Sequence, residues 1–150
     1  MKTAKLNGLA RSIFLGIFII AMVIPFTSYA KKYTFLNSSV VPAAKGFVKV
    51  KTDNNTNYII KVEISDLAEV ERVQSSQTTY VVWMETDEGN AVNLGQLKSS
   101  RSFLSKRHTA ALETVSAYKP VKIFITTENG TNAQYPGEQR VLTTDTFTVK

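Results

Sequence analysis

The sequence predicts an all-β fold, an antiparallel, immunoglobulin-like β-sandwich of about seven strands. Beyond residue 45, apolar and polar side chains alternate in most segments, and clusters of Asn, Asp and Gly separate these segments at short intervals. Alternation with a period of two is typical of strands that bury one face, and such clusters mark turns. Several short strands joined by turns commonly bury their apolar faces by packing two sheets together.

Residues 78–86 (TTYVVWMET) are rich in β-branched and aromatic residues, which favour strands. In chain order the predicted strands are 47–51, 58–64, 78–86, 91–97, 121–126, 141–142 and 147–149. Asp53 to Asn57 also alternates oxygen-bearing side chains as calcium loops do, but Tyr58 and Ile64 replace the glycine and glutamate such a loop needs. A hairpin turn is the better interpretation. Only residues 105–114 resemble a helical turn.

Residues 1–30 have the layout of an export signal. Three basic residues precede an apolar run from Ile13 to Ile24, and Ser28 and Ala30 offer the small side chains that a signal peptidase accepts. Cleavage would leave Lys31 as the first residue of an exported protein, periplasmic or extracellular. Alternatively, the leader remains as a single membrane anchor, although its apolar core is shorter than the roughly 20 residues that cross a bilayer.

The rest of the chain has the size of one domain. Residues 31–45, rich in Ser, Lys and Ala, are predicted to be a tether, and residues 46–150 the domain. The chain contains no cysteine, which excludes disulfides, a thiolate nucleophile and a cysteine-based metal site. Stability must therefore come from packing.

Charge gives little indication of a partner. Of the 18 basic residues three lie in the leader, so the remaining chain carries 15 against 12 acidic residues, a net charge of +3. Most lysines stand singly in alternating strands, a pattern typical of a solvated face. We expect no nucleic-acid partner.

Trp83 and Tyr80 lie in the most apolar predicted strand. Trp83 is flanked by Val81, Val82 and Met84, so we expect a core tryptophan rather than an exposed one that stacks on a ligand. Tyr80 is three residues earlier and falls on the opposite face of the strand. We consider it a candidate for exposure.

No catalytic, cofactor or metal residues are predicted. Glu85, Asp87 and Glu88 could serve a hydrolase as paired carboxylates, but a charged, solvated turn is the simpler interpretation. His108 is the only histidine, and it lacks partners at ligand spacing. The weak candidate interaction surface consists of Tyr80, Glu85, Asp87, Glu88, Arg101 and Arg107.

Several ordered short motifs resemble a known family. They are SDL at 65–67, TYVVWM at 79–84, VNLG at 92–95, VKIFITTENG at 121–130, YP at 135–136 and VLT at 141–143. Together they are similar to the extracytoplasmic C-terminal domain of anti-sigma-K factors (RskA type), over about Gly46 to Val149. The resemblance implies a bacterial β-sandwich outside the cytoplasm. It does not imply sigma regulation by this chain, since 12 residues precede the apolar run where that family has a sigma-binding domain.

The predicted function is therefore that of an exported, non-enzymatic binding module of the bacterial cell envelope. Its partner would be another envelope protein or a surface polymer, with no cofactor, and with membrane attachment only through an uncleaved leader. The alternatives are a small secreted or periplasmic hydrolase that uses the loop carboxylates, and a membrane-anchored sensor domain of a sigma/anti-sigma system. A structural subunit that exchanges strands shares the same fold.

Overall fold

The structure, a computed structural model, describes residues 30–101 and 108–149, with the backbone alone for residues 100, 101 and 108. The predicted leader, apart from Ala30, and Arg107 lie outside these residues. In the described ranges the protein is all-β, with nine strands and one four-residue helix, and no helix there has the length and apolar character of a membrane span. The elements are β1 Lys31–Thr34, β2 Lys45–Thr52, β3 Tyr58–Ser65, α1 Val70–Val73, β4 Thr79–Thr86, β5 Ala91–Gln96, β6 Lys98–Arg101, β7 His108–Ser116, β8 Pro120–Glu128 and β9 Arg140–Thr143.

The strands form two antiparallel sheets. The five-stranded sheet has the order β1-β2-β3-β7-β6, and the four-stranded sheet has the order β5-β4-β8-β9. Hairpins connect β2 to β3 and β4 to β5, as the turn residues in the sequence predict. The connection between β3 and β4 contains α1 and carries the chain from one sheet to the other.

Alternate side chains of both sheets share one hydrophobic core. Val48, Ile60 and Val62 of the five-stranded sheet belong to the same cluster as Met84 and Ile125 of the four-stranded sheet, and all five are fully buried. Burying a side chain of this size contributes about 1.5–3 kcal/mol relative to leaving it exposed. The period-two alternation of the sequence therefore orients both sheets.

The edges of the two sheets are joined directly at two further places. Leu97 is buried and joins β5 of the four-stranded sheet to β6 of the five-stranded sheet. After β1, Phe35 forms an antiparallel bridge with Thr144, and the N–H of Leu36 donates to the carbonyl oxygen of Thr143 at 2.8 Å. The link at Leu97 therefore joins the edge strands β5 and β6, and the bridge joins the two sheets at their other edges, next to β1 and β9.

A second apolar cluster lies on the outer face of the four-stranded sheet. Val81, Trp83 and Phe124 form it, and Ala133, from the loop after β8, packs against it. The Trp83 side chain is 0% exposed, which confirms the prediction that it is a core residue. Trp83 is buried in this outer cluster, and not in the hydrophobic core between the two sheets.

Polar groups inside this cluster are hydrogen-bonded. The Trp83 indole Nε1–H donates to Thr126 Oγ1 at 2.8 Å, and the Thr126 hydroxyl donates to the Glu128 carboxylate. Asn93 donates through Nδ2 to the carbonyl oxygens of Thr131 and Ala133 in the loop. Because a buried polar group without a partner costs about 1–3 kcal/mol, these bonds hold the loop in place.

Three sequence predictions differ from the structure. Residues 31–45, predicted to be a tether, contain β1 and the buried side chains of Phe35 and Val41, so the domain begins earlier. Residues 108–116 form a strand, whereas 105–114 were expected to include a helical turn, because pairing with β3 overrides a weak local preference. Residues 147–149, predicted to be a strand, form none, and β1, β6 and β7 were not predicted, so the described residues contain nine strands rather than about seven.

Candidate binding surface

The outer face of the five-stranded sheet is rich in lysine. Val48 and Val50 point into the core, so their neighbours Lys49 and Lys51 lie on the outer face, and Lys61 of β3 does the same. The outward positions of this sheet that carry charge are Lys32, Lys45, Lys49, Lys51, Lys61, Glu63, Lys98 and Glu113. Six positive charges thus share this face with two negative ones.

Three of these lysines form a row across adjacent strands. Lys32 of β1 lies opposite Lys49 of β2, and Lys49 lies opposite Lys61 of β3. Lys61 lies in turn opposite Glu113 of β7. We call Lys32, Lys49 and Lys61 the lysine row. Like charges directly opposite each other destabilise a sheet, so this register carries a cost.

Nearby groups reduce this cost only in part. The Lys61 Nζ lies 3.6 Å from Glu63 Oε1 and 3.9 Å from Glu113 Oε2, but all three side chains are largely exposed, and such pairs contribute about 0–1 kcal/mol. Among the described residues, no carboxylate lies within ion-pair distance of Lys32 or Lys49.

The ring of Phe47 receives the other two ammonium groups. The Lys32 Nζ lies 4.0 Å from the ring centroid, and the Lys49 Nζ lies 5.1 Å from it. A cation over an aromatic face at an exposed site gains about 0.5–1 kcal/mol. Phe47 therefore holds these two lysine side chains close together above β2.

A groove of about 800 Å³ runs across this face, over β1, β2, β3 and β7. Its charged and aromatic lining includes Lys32, Lys45, Phe47, Lys61 and Glu63, and its neutral lining includes Thr34, Asn37, Ser65 and Ala111. Ala111 is exposed in the groove, and its short side chain leaves room between the longer neighbours. We call this feature the basic groove.

The structure describes the side chains of four of the six predicted interaction residues, and it does not bring Tyr80 to the same surface as the other three. Glu85 lies at the end of β4, and Asp87 and Glu88 are exposed in the turn that follows. Arg101 is the last residue of β6, which belongs to the five-stranded sheet, whereas Glu85 belongs to the four-stranded sheet. The side chain of Arg101 and the whole of Arg107 lie outside the description.

Tyr80 corrects the expectation that it is exposed. Its side chain is 8% exposed and belongs to the core between the sheets, and its hydroxyl donates to the carbonyl oxygen of Ala68 at 3.0 Å. Burial, with a smaller contribution from Glu71, raises the pKa of Tyr80 to about 12. The phenol therefore stays protonated and serves as a structural donor beside a smaller pocket of about 240 Å³.

The Asp53 to Asn57 segment is a hairpin turn, as expected. Asp53 Oδ1 accepts hydrogen bonds from the backbone N–H groups of Asn55 and Asn57, both at 2.8 Å. Asn57 Nδ2 also donates to Oδ2 at 3.1 Å. The hydrogen bonds of the carboxylate are thus used within the turn, and they lower the pKa of Asp53.

Metal-ligating side chains are dispersed across the described ranges, where no group of three or more His, Cys, Asp or Glu converges. The side chain of His108 is not described, so its role stays a prediction. Comparisons with family models, curated proteins and solved structures gave no match. The basic groove is larger than the pocket beside Tyr80, and sequence reasoning missed it because it treated the lysines as isolated charges.

Proposed function

We propose that this chain is an exported, non-enzymatic binding module of the bacterial cell envelope, and that the basic groove is its binding surface. The observation that carries this proposal is the groove itself, a concavity over four adjacent strands that is lined by three lysines and an aromatic ring. A recess with a few convergent polar groups is the usual form of a binding site.

The proposed location follows from the leader. Residues 1–30 have a basic start, an apolar segment and a small-residue cleavage site, which support export. The lack of cysteine means that the domain depends on packing alone in either redox environment.

The proposed family is that of the extracytoplasmic anti-sigma-K (RskA-type) domain, with an immunoglobulin-like β-sandwich. Support comes from the ordered motifs and from the core that the two sheets share. Trp83 of the TYVVWM motif and Glu128 of the closing motif belong to one hydrogen-bonded chain through Thr126, so these two motifs meet in space.

The proposal is tested by filling the groove. Ala111→Trp places a large side chain in the groove, whereas Gln134→Trp adds the same side chain to the exposed loop after β8. The full chain and both variants are immobilised and exposed to a solubilised envelope fraction. We expect the wild-type protein and Gln134→Trp to retain the same component and Ala111→Trp to lose it, at a similar melting temperature.

Two results would contradict the proposal. The first is retention of the same components by all three proteins. The second is hydrolysis of the retained component that Glu85→Gln or Asp87→Asn abolishes in a folded variant, which would favour an enzyme that uses the turn carboxylates.

A further inference from the structure

We infer that the basic groove binds an acidic polysaccharide, a linear sugar chain that carries carboxylate groups, an inference that rests on the proposed binding function. The lining of the groove combines two chemistries that such a chain also combines. Lys32, Lys45 and Lys61 present ammonium groups, and Thr34 and Ser65 present hydroxyl groups.

The charge pattern calls for an anion. In the lysine row, Lys49 lies between Lys32 and Lys61 at a strand spacing of about 4.8 Å on each side. Lys32 and Lys61 line the groove, and Lys49 lies beside it, with its Nζ over the ring of Phe47, a lining residue. Within the described chain Lys61 alone of these three has carboxylate partners, Glu63 and Glu113. A carboxylate-bearing chain laid across the strands would give Lys32 and Lys49 the same kind of partner and relieve the repulsion in the row.

The neutral part of the lining suits sugar hydroxyls. Thr34 and Asn37 line the groove with side chains that can both donate and accept hydrogen bonds, which is what a sugar hydroxyl also does. The Ser65 hydroxyl donates to the carbonyl oxygen of Lys45 at 3.2 Å and offers its oxygen as an acceptor. Ala111 of β7 provides an exposed methyl group on the far side of β3, so a chain can approach the backbone of the sheet there.

The same face is poorly suited to two other anionic partners. Single-stranded nucleic acids bind where bases stack on open aromatic rings, but Lys32 and Lys49 cover the ring of Phe47, and Phe35 is buried. A lipid surface is broad and meets a flat or convex face, whereas this site is a groove that crosses four strands. Both features favour a linear polymer without bases.

The test uses the full chain and oligogalacturonate, a linear probe with one carboxylate per sugar. Dextran oligomers of equal length are the neutral control, and titration calorimetry measures binding. We expect oligogalacturonate to bind, dextran not to bind, and the affinity to fall as salt screens the charges. The double variant Lys32→Gln/Lys49→Gln should weaken binding roughly tenfold, the loss of two exposed ion pairs.

The matched control is Lys119→Gln/Lys122→Gln, which removes the same amount of charge from the other sheet. Lys119 directly precedes β8, and Lys122 lies in it. It should change the affinity by less than about twofold, because these lysines lie away from the groove. An equal loss in both double variants would show an effect of net charge alone and overturn the inference.

Other occupants are tested in the same assay with single-stranded DNA and with vesicles that contain phosphatidylglycerol. Tighter binding of either probe than of oligogalacturonate, with the loss in Lys32→Gln/Lys49→Gln, would overturn the polysaccharide assignment. If no probe binds while Ala111→Trp still loses its envelope component, the inference fails and the proposed function stands. If Ala111→Trp has no effect either, both fail.

Discussion

The Glu128 Oε1 atom accepts a hydrogen bond from the backbone N–H of Gly137 at 2.7 Å. The same oxygen accepts from the Thr126 hydroxyl, so one buried carboxylate joins β8 to the loop that covers Trp83. A Cβ on Gly137 would lie 3.2 Å from this oxygen and 3.2 Å from the carbonyl oxygen of Thr127. The absence of a side chain at Gly137 thus allows the close approach.

Glu128→Ala should destabilise the protein by about 1–3 kcal/mol, because it leaves the buried Thr126 hydroxyl and the Gly137 N–H without their acceptor. Urea denaturation measures the loss, and the emission of Trp83 should shift to the red as the loop loosens. Glu138→Gln, an exposed change in the same loop, is the control and should leave both readouts unchanged. An unaltered midpoint for Glu128→Ala would mean that the carboxylate does not hold the loop.

Gly46→Ala should destabilise the fold although alanine is a small residue. A Cβ at this position would lie 2.5 Å from the carbonyl oxygen of Glu63 on β3 and would also clash with the Ile64 side chain. Relieving the clash requires the β2 and β3 backbones to separate, at a cost of about 1–3 kcal/mol. Gly130→Ala is the matched control, since nothing lies within 4 Å of its added Cβ. Equal melting temperatures for the two variants would contradict the close strand contact.

Asp53 should make stability depend on pH in the acid range. The backbone N–H of Asn57 is the main group that lowers the pKa of Asp53 from its ordinary value of 3.8. The unfolded chain therefore binds this proton more readily than the folded chain, and stability contributed by the carboxylate is complete above 3.8 and lost as the pH falls through the lower folded value.

Asp53→Asn, which keeps the shape of the side chain, tests this dependence. The melting temperature of the variant should lie below that of the wild type at neutral pH, and the difference should shrink in strong acid. Asp145→Asn makes the same charge change at an exposed site and controls for net charge. A difference that is constant across the acid range would show that the carboxylate contributes no pH-dependent stability.

Protein recovered from its host should begin at Lys31 and remain soluble after fractionation, because residues 1–30 have the layout of a cleaved signal. Mass spectrometry of the intact protein identifies its first residue. Lys31 is the first residue of β1, and its Nζ lies 3.4 Å from the carbonyl oxygen of Thr148, so cleavage there preserves the strand. A full-length chain that only detergent extracts would establish the anchored alternative.

The hairpins were predictable because the alternation of two consecutive strands and the turn residues between them are enough to indicate each hairpin. The alternation around Val48 and Val62 and the turn at Asp53 fix β2, β3 and their connection. Trp83 was predictable for the same local reason. The parity rule also placed Tyr80 on the opposite face of β4, but both faces of this strand are buried, because the loop after β8 covers the outer one.

The basic groove was not predictable, because it depends on the register of strands far apart in the chain. Lys61 lies opposite Glu113 only through the pairing of β3 with β7, and Lys32 lies opposite Lys49 only because residues 31–34 form a strand. The short segment before residue 45 carries no clear alternation, and pairing with β2 gives it its conformation.

The bridge between Phe35 and Thr144 has a consequence for the order of events during biosynthesis. These residues are 109 positions apart in the chain, so the sheets cannot be joined along this edge until the segment that contains Thr144 has been synthesised. Contacts between residues so distant in sequence form late in folding and lower the folding rate. An incomplete chain would expose the apolar surface of Phe35, and transiently exposed apolar surface makes a chain prone to aggregation.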